Sequence, residues 1–154
     1  MAYYAGIGYR EGNVALSPPA PQRILVTPHA DDVADSVKEW VNRAEVQSDI
    51  CYFSIEVEGE LAGQIFLHDI DLSTGAALVG YHLFEPRWRG RGIGTQALKL
   101  LQKYVTADTT LTKLVLITSA DNIASRRAAE KAGFTHAGPP LEDPTGILLT
   151  WTRE

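Results

Sequence analysis

Residues 87 to 95 read Arg87, Trp88, Arg89, Gly90, Arg91, Gly92, Ile93, Gly94, Thr95, and no other stretch of the chain concentrates as much potential chemistry. Its glycines allow a sharp turn and let backbone N–H groups approach a ligand closely. If a helix follows, its first N–H groups have no intrahelical partners and point at the same place. Arg87, Arg89 and Arg91 put three positive charges into a chain whose formal charge is −5. That combination suits a bound anion such as a pyrophosphate or phosphate monoester. The competing reading is a tight connection with solvated arginines. A phosphate-binding loop of the NTPase kind requires Lys and then Ser or Thr after its last glycine, but Gly94 is followed by Thr95 and Gln96. A dinucleotide fingerprint counted from Gly90 wants a third small residue where Thr95 stands.

A second group of residues begins at Asn122, at the head of a helical stretch, with Ser125 one turn further on. Residues three apart share a helix face, so both can look into one cleft. Asn122 is equally a good helix cap, and Ser125 a residue that the first turn tolerates. Among groups able to take a proton, Glu85 just before Pro86 is the first candidate; His68, Asp69 and Glu56 compete with it, and each also reads as a solvated side chain. Glu56, Glu58, Glu60, Asp69 and Asp71 are expected to gather toward one side of the cleft and attract cations. The histidines His29, His68, His82 and His136 are too scattered for a metal site, so no metal is expected. Cys51 lies in an apolar run and reads as packing.

The elements that must position these groups follow from periodicity. Residues 1–21, with Tyr3, Tyr4, Tyr9, Pro18 and Pro19, show neither helical nor strand period and read as an irregular N-terminal arm, leaving 22–154 as a single domain. Ile24 to Val26 suggest a short strand. Thr27 and Pro28 then suggest the N-cap and first position of a helix whose apolar face is Val33, Val37, Trp40, Val41 and Ala44. Period-two alternation from Cys51 to Glu58 predicts a half-buried strand, Glu58 and Gly59 a tight turn, and Leu61–His68 and Ala76–Phe84 two more antiparallel strands. Ala97, Leu98, Leu101 and Val105 mark the next helix face. Leu114–Ile117 is a short buried strand, Asn122–Ala132 a helix ended by Gly133, and Phe134 and Ile147–Trp151 begin and form two final strands.

At 154 residues and 45% hydrophobic content the chain can bury one substantial core. Its acidic balance argues against nucleic acid, which would be met by clustered Lys and Arg. The start of the chain lacks a signal-peptide pattern and no stretch reaches about 18 apolar residues, so no membrane partner and a cytoplasmic location are expected.

Arg89-x-x-Gly92-x-Gly94 at a strand-to-helix junction resembles the pyrophosphate motif of the GCN5-related N-acetyltransferase (GNAT) family. Asn122-x-x-Ser125, followed by Glu130, Lys131, Gly133 and Phe134, resembles that family's later cofactor-bordering helix. The likeness runs from about Arg23 to Trp151, and Gly80-Tyr81-His82-Leu83 with Ser125 is similar to the branch containing the ribosomal-protein N-terminal acetyltransferases. The resemblance implies an α/β (α+β) fold, with a mixed, mostly antiparallel sheet of about six to seven strands splayed between the fourth and fifth and helices on both faces. It implies acetyl-coenzyme A as cosubstrate, contacted by Arg89, Gly90, Arg91, Gly92, Ile93, Gly94, Thr95, Asn122 and Ser125, with backbone groups of Leu83 and Phe84 holding the pantetheine arm. It implies transfer to a primary amine, on a protein N-terminus or a small molecule, by direct attack. Many members place a tyrosine seven residues after the asparagine to protonate the departing thiolate; here that position is Ala129, which leaves Ser125 for the role and Glu85 as the base. The same substitution suggests an alternative, an inactive acyl-coenzyme A binding module. Relatives often have a second helix before the first antiparallel strand; with only Glu45–Ile50 there, the acceptor wall is expected from the arm, the Pro-rich loop 138–146, or a second copy of the chain in a homodimer.

Overall fold

A computed structural model describes residues 9–18, 20–138 and 145–153. Among them eight strands form one sheet: β1 (Tyr9–Glu11), β2 (Val14–Ser17), β3 (Cys51–Val57), β4 (Glu60–Asp71), β5 (Ala76–Leu83), β6 (Lys113–Ser119), β7 (Thr135–His136) and β8 (Gly146–Thr152). Their spatial order is β1-β2-β3-β4-β5-β6-β8-β7, antiparallel throughout except for the β5–β6 pair. Helices α1 (Pro21–Val26) and α2 (Ala34–Val46) lie on one face, and α3 (Ile93–Asp108) and α4 (Ile123–Lys131) on the other. Alternation divides the strands between the two layers. Cys51, Phe53, Ile55 and Val57 join the core under α3, whereas Tyr52 joins Phe66, Val37 and Val41 under α2. Because α2 covers that second face, β3 is buried on both sides rather than half-buried. Cys51 packs against Tyr104, its Sγ 3.7 Å from the phenol oxygen.

The N-terminal third departs from expectation. Tyr9–Ser17, part of the segment read as irregular, is a hairpin that extends the sheet through β3. Val14, Ala15 and Leu16 are all buried, so alternation could not reveal this strand; Pro18 follows it exposed, and Tyr3, Tyr4 and Pro19 lie outside the described residues. Ile24–Val26 is not a strand but the end of α1. Pro21 at its first turn supplies the preset backbone angle, and only Ile24 is buried while Val26 is 82% exposed. Thr27 closes α1, its Oγ1 donating to the Arg23 carbonyl at 2.7 Å, and α2 begins only at Ala34. Two helices therefore precede β3, and the helix expected to be missing is α1.

The sheet feature that matters most is the parting of β5 and β6. They pair from Ala76/Lys113 to Val79/Leu116, and then β5 runs on to Leu83 beside β4 while β6 runs on to Ser119 beside β8. Beyond Val79 the sheet is open.

Candidate active site

A cavity of about 620 Å³ occupies this opening and extends to the N-terminal ends of α3 and α4. The Phe84 N–H donates to the Ala62 carbonyl at 2.9 Å, and its own carbonyl accepts from Ala30 N–H at 2.6 Å. Since backbone groups alternate in direction along a strand, those of Leu83 and Tyr81 turn away from β4 and into the gap. Leu83 is thus placed as expected, but Phe84 is not: its backbone is engaged on the far side and its side chain is fully buried under α2.

The Gly-rich loop closes one end. After a single 3-10 turn at Pro86–Trp88, Gly90 and Gly92 adopt φ of 70° and 77°, the left-handed region in which a side chain is strained, and a Cβ at either would have nothing within 4 Å. The backbone there is open to a ligand. Gly92 caps α3 with no side-chain hydrogen bond, and no acidic residue stands in the first turn, so the N–H groups at Ile93, Gly94 and Thr95 are left for an anion. Arg89, Gly90, Gly92, Ile93, Gly94 and Thr95 all line the cavity. Arg91 does not; its guanidinium lies 5.2 Å from the Trp88 ring centroid and donates to the Arg87 carbonyl at 3.4 Å. Trp88 also borders the cavity, and its buried indole Nε1 has no hydrogen-bond partner among the described residues. An unsatisfied buried donor beside a cluster of free backbone donors fits a phosphate-bearing ligand.

The opposite wall comes from α4. Asn122 Oδ1 accepts from Ser125 N–H at 3.1 Å, so the asparagine caps the helix while still bordering the cavity with Ser125. Ala124, Arg127, Ala128 and Lys131 follow on that same face. Lys131 was part of the sequence motif though not assigned to the ligand, whereas Arg127 went unrecognised, although the spacing of both from Ala124 is that of one helix stripe. Ala129 is fully buried in the core instead. Tyr81, named in the sequence only as part of the strand motif, borders the cavity from β5.

Other candidates are drawn elsewhere. The Glu85 carboxylate accepts from Arg87 Nη2 at 3.3 Å and is not part of the cavity wall among the described residues. Arg87 also reaches Glu60 at 3.5 Å and stacks on Trp88 at 4.1 Å. His68, 2.6 Å from Asp69, pairs with Leu78 in β5, and Asp69 lies in the bulge that follows, whereas the cavity opens beside Gly63/Leu83; five residues of strand separate the two ends, roughly 17 Å. Asp71 is as remote, so the carboxylates expected to gather at the cleft are divided between the two ends of the sheet. Glu56 is held by Ser17 and by Arg23, 3.9 Å away, on the α1 face. His82, by contrast, does border the cavity, from the α1/α2 face, its Nδ1 3.2 Å from Gln64 Nε2 and its ring 5.9 Å from that of Phe66. Burial, with His29 nearby, pushes its imidazole down to about 4.

Comparison with known proteins bears on all of this, because the acetyltransferase (GNAT) domain profile matches residues 15–135. The chain belongs to the GNAT acetyltransferase family. The SPbeta prophage-derived uncharacterized N-acetyltransferase YokL of Bacillus subtilis (strain 168) is 26% identical over 112 residues, 71% of this chain and 62% of that protein. YdaF of the same organism is 31% identical over 81 residues, 53% of this chain and 44% of that protein. The chain therefore spans less than two thirds of the length of either relative. Among solved GNAT-like structures, the ribosomal L7/L12 alpha-N-protein acetyltransferase RimL in complex with coenzyme A superposes with a TM-score of 0.72 at 17% identity, covering 95% of this chain and 98% of that one. AAC(6')-Ib in complex with ribostamycin and coenzyme A gives 0.75 at 18%, covering 92% and 94%. At such identities the likeness establishes the GNAT fold, with its sheet parted between β5 and β6.

Proposed function

We propose that the chain is an acetyl-coenzyme A dependent N-acetyltransferase that moves the acetyl group onto a primary amine by direct attack. The observation that carries this reading is the cavity at the parted strands, where the uncapped N-terminus of α3 and the side chains of Arg89, Arg127 and Lys131 converge. Coenzyme A would bring an activated acyl group as a thioester; everything else falls to this chain's residues. Gly90, Gly92 and the first turn of α3 offer N–H donors to the pyrophosphate, with Arg89 beside them. Arg127 and Lys131 offer charge to a further phosphate. The inward backbone groups of Leu83 and Tyr81 hold the arm and polarise the acyl carbonyl, a fixed donor in a partly dry cleft that needs no reorganisation as charge develops. Ser125 stands ready to hydrogen-bond the departing sulfur. With Glu85 tied to Arg87, the proton of the attacking amine passes to water.

The amine enters from the α1/α2 face, where the segment between those helices is fastened to the cleft at Ala30–Phe84 and Asp32–Arg89. RimL is named for acetylating a protein N-terminus, and AAC(6')-Ib was solved with the small amine ribostamycin. Both classes belong in the test: release of thiol from acetyl-coenzyme A against a panel of N-terminal peptides and polyamine or aminoglycoside amines. Amine-dependent release supports the transferase. Tight binding without release across the panel would favour an acyl-coenzyme A binding module instead.

A further inference from the structure

His82 lies on β5 between Tyr81 and Leu83, the two residues whose backbone groups turn into the gap. Side chains alternate along a strand, so its ring borders the cavity from the α1/α2 face, beside Phe66 of the layer under α2. Gln64 stands directly opposite on β4, is only 1% exposed, and holds the imidazole with its Nε2 3.2 Å from His82 Nδ1. An amide nitrogen can only donate, so Nδ1 is the acceptor and the single proton of the neutral ring sits on Nε2. Among the described residues that N–H has no hydrogen-bond partner, and the atom is not sealed from solvent. We propose that His82 selects the acceptor: its Nε2–H donates to a neutral oxygen, carbonyl or hydroxyl, two or three bonds from the attacking nitrogen.

This role rests on the transferase reading above and names the kind of amine that the site takes. A strand rises about 3.3 Å per residue, so the ring stands one residue from either backbone group that polarises the acyl carbonyl. An amine attacks from about 3 to 3.5 Å, which carries an oxygen on the next atoms within reach of that ring. His82 does not compete for the amine's proton. While the ring is neutral its Nε2 has no free lone pair, and burial, with His29 nearby, holds its ionisation down at about 4. His29 is no substitute donor, because its own Nε2 is 2.7 Å from the Ile24 carbonyl. Charge points the same way. Of the described residues lining the cavity the only carboxylate is Asp32, and Arg89 holds it at 2.8 Å. Glu60 and Glu85 are paired with Arg87, and Glu56 with Arg23. The further cations of a polyamine therefore meet no free carboxylate, whereas an amine with a neutral oxygen beside it meets a fixed donor. An amine without that oxygen leaves the donor unpaired, and this is the basis of rejection.

The test compares acceptors at saturating acetyl-coenzyme A. Glycinamide and triglycine amide carry a carbonyl beside the amine and ethanolamine a hydroxyl; n-butylamine carries neither, and spermidine adds only charge. Counted as neutral amine, at least one oxygen-bearing acceptor should exceed butylamine and spermidine in kcat/KM by about tenfold or more in the unaltered protein. Which of them leads distinguishes carbonyl from hydroxyl. His82→Phe, which keeps a ring and removes the donor, should lower that preference about tenfold. His82→Gln, whose amide can still donate, should retain most of it, whereas a merely structural role would depress all acceptors alike. Should His82→Phe not fold, nitrogen-15 spectra of the unaltered protein decide, with the ring proton expected on Nε2. A preference for butylamine or spermidine, a preference unchanged in His82→Phe, or a ring proton on Nδ1 overturns the role and leaves the transferase standing. Thiol release with none of these amines while acetyl-coenzyme A is bound overturns the transferase reading and this role with it.

Discussion

Arg89 Nη2 lies 2.8 Å from Asp32 Oδ1, joining the segment before α2 to the Gly-rich loop across 57 residues of sequence. This hydrogen bond and the guanidinium charge hold the Asp32 carboxyl below the usual carboxylate range. Both side chains are largely exposed, so the pair adds little to stability. Its consequence is for binding, since a phosphate at Arg89 must contend with a carboxylate already there. Asp32→Asn is expected to tighten coenzyme A about threefold or more at low salt, by calorimetry, with the melting temperature nearly unchanged. Weaker binding would mean that Asp32 orients Arg89 for the ligand.

Arg127 and Lys131 form no ion pair among the described residues and face the same cavity. Replacing both with Gln should weaken coenzyme A roughly tenfold near 0.02 M salt and flatten the salt dependence of binding. An affinity and salt slope equal to those of the unaltered protein would remove α4 from the phosphate site.

His82 makes stability depend on pH with a defined sign. Its imidazole ionises at about 4 when folded, against an ordinary 6.5, so the unfolded chain binds the extra proton first as pH falls. The stability associated with neutral His82 is fully present above about 6.5 and is lost as pH falls toward 4, by at most about 3 kcal/mol. Denaturant midpoints of His82→Gln should accordingly fall less steeply than those of the unaltered protein over that window. Parallel curves would contradict the assignment.

Burial pushes the Cys51 thiol up to about 11, and its side chain is enclosed by the core beneath α3. Cys51 should therefore resist disulfide reagents at pH 8 and react only on unfolding. Rapid labelling of the folded protein would show that β3 opens locally.

Much of the site was legible because local chemistry dictated it. Glycines with open backbone angles, arginines before a helix and an asparagine at a helix head keep their meaning whatever surrounds them, and the elements from Cys51 to Trp151 carried clear period-two or helical patterns. What could not be read depended on tertiary placement. Whether Phe84 or Leu83 turns its backbone into the gap is a matter of strand register. Arg87, Glu85 and Arg91 neutralise or stack on one another beside Trp88, which no spacing rule reveals, and Arg127 and Lys131 gain significance only because α4 faces the parted strands. The second strand of the hairpin at Tyr9–Ser17 was hidden by burial on both faces, and α1 by three apolar residues, two of them β-branched, that look like a strand when Pro21 is not weighed.

Whether the opening between β5 and β6 holds acetyl-coenzyme A is decided by titration calorimetry of acetyl-coenzyme A into the unaltered protein and into Arg89→Ala. One site per chain is expected, with affinity at least about tenfold weaker in the variant while its circular dichroism is unchanged. No measurable binding to the unaltered protein, or equal affinity for both, would contradict it.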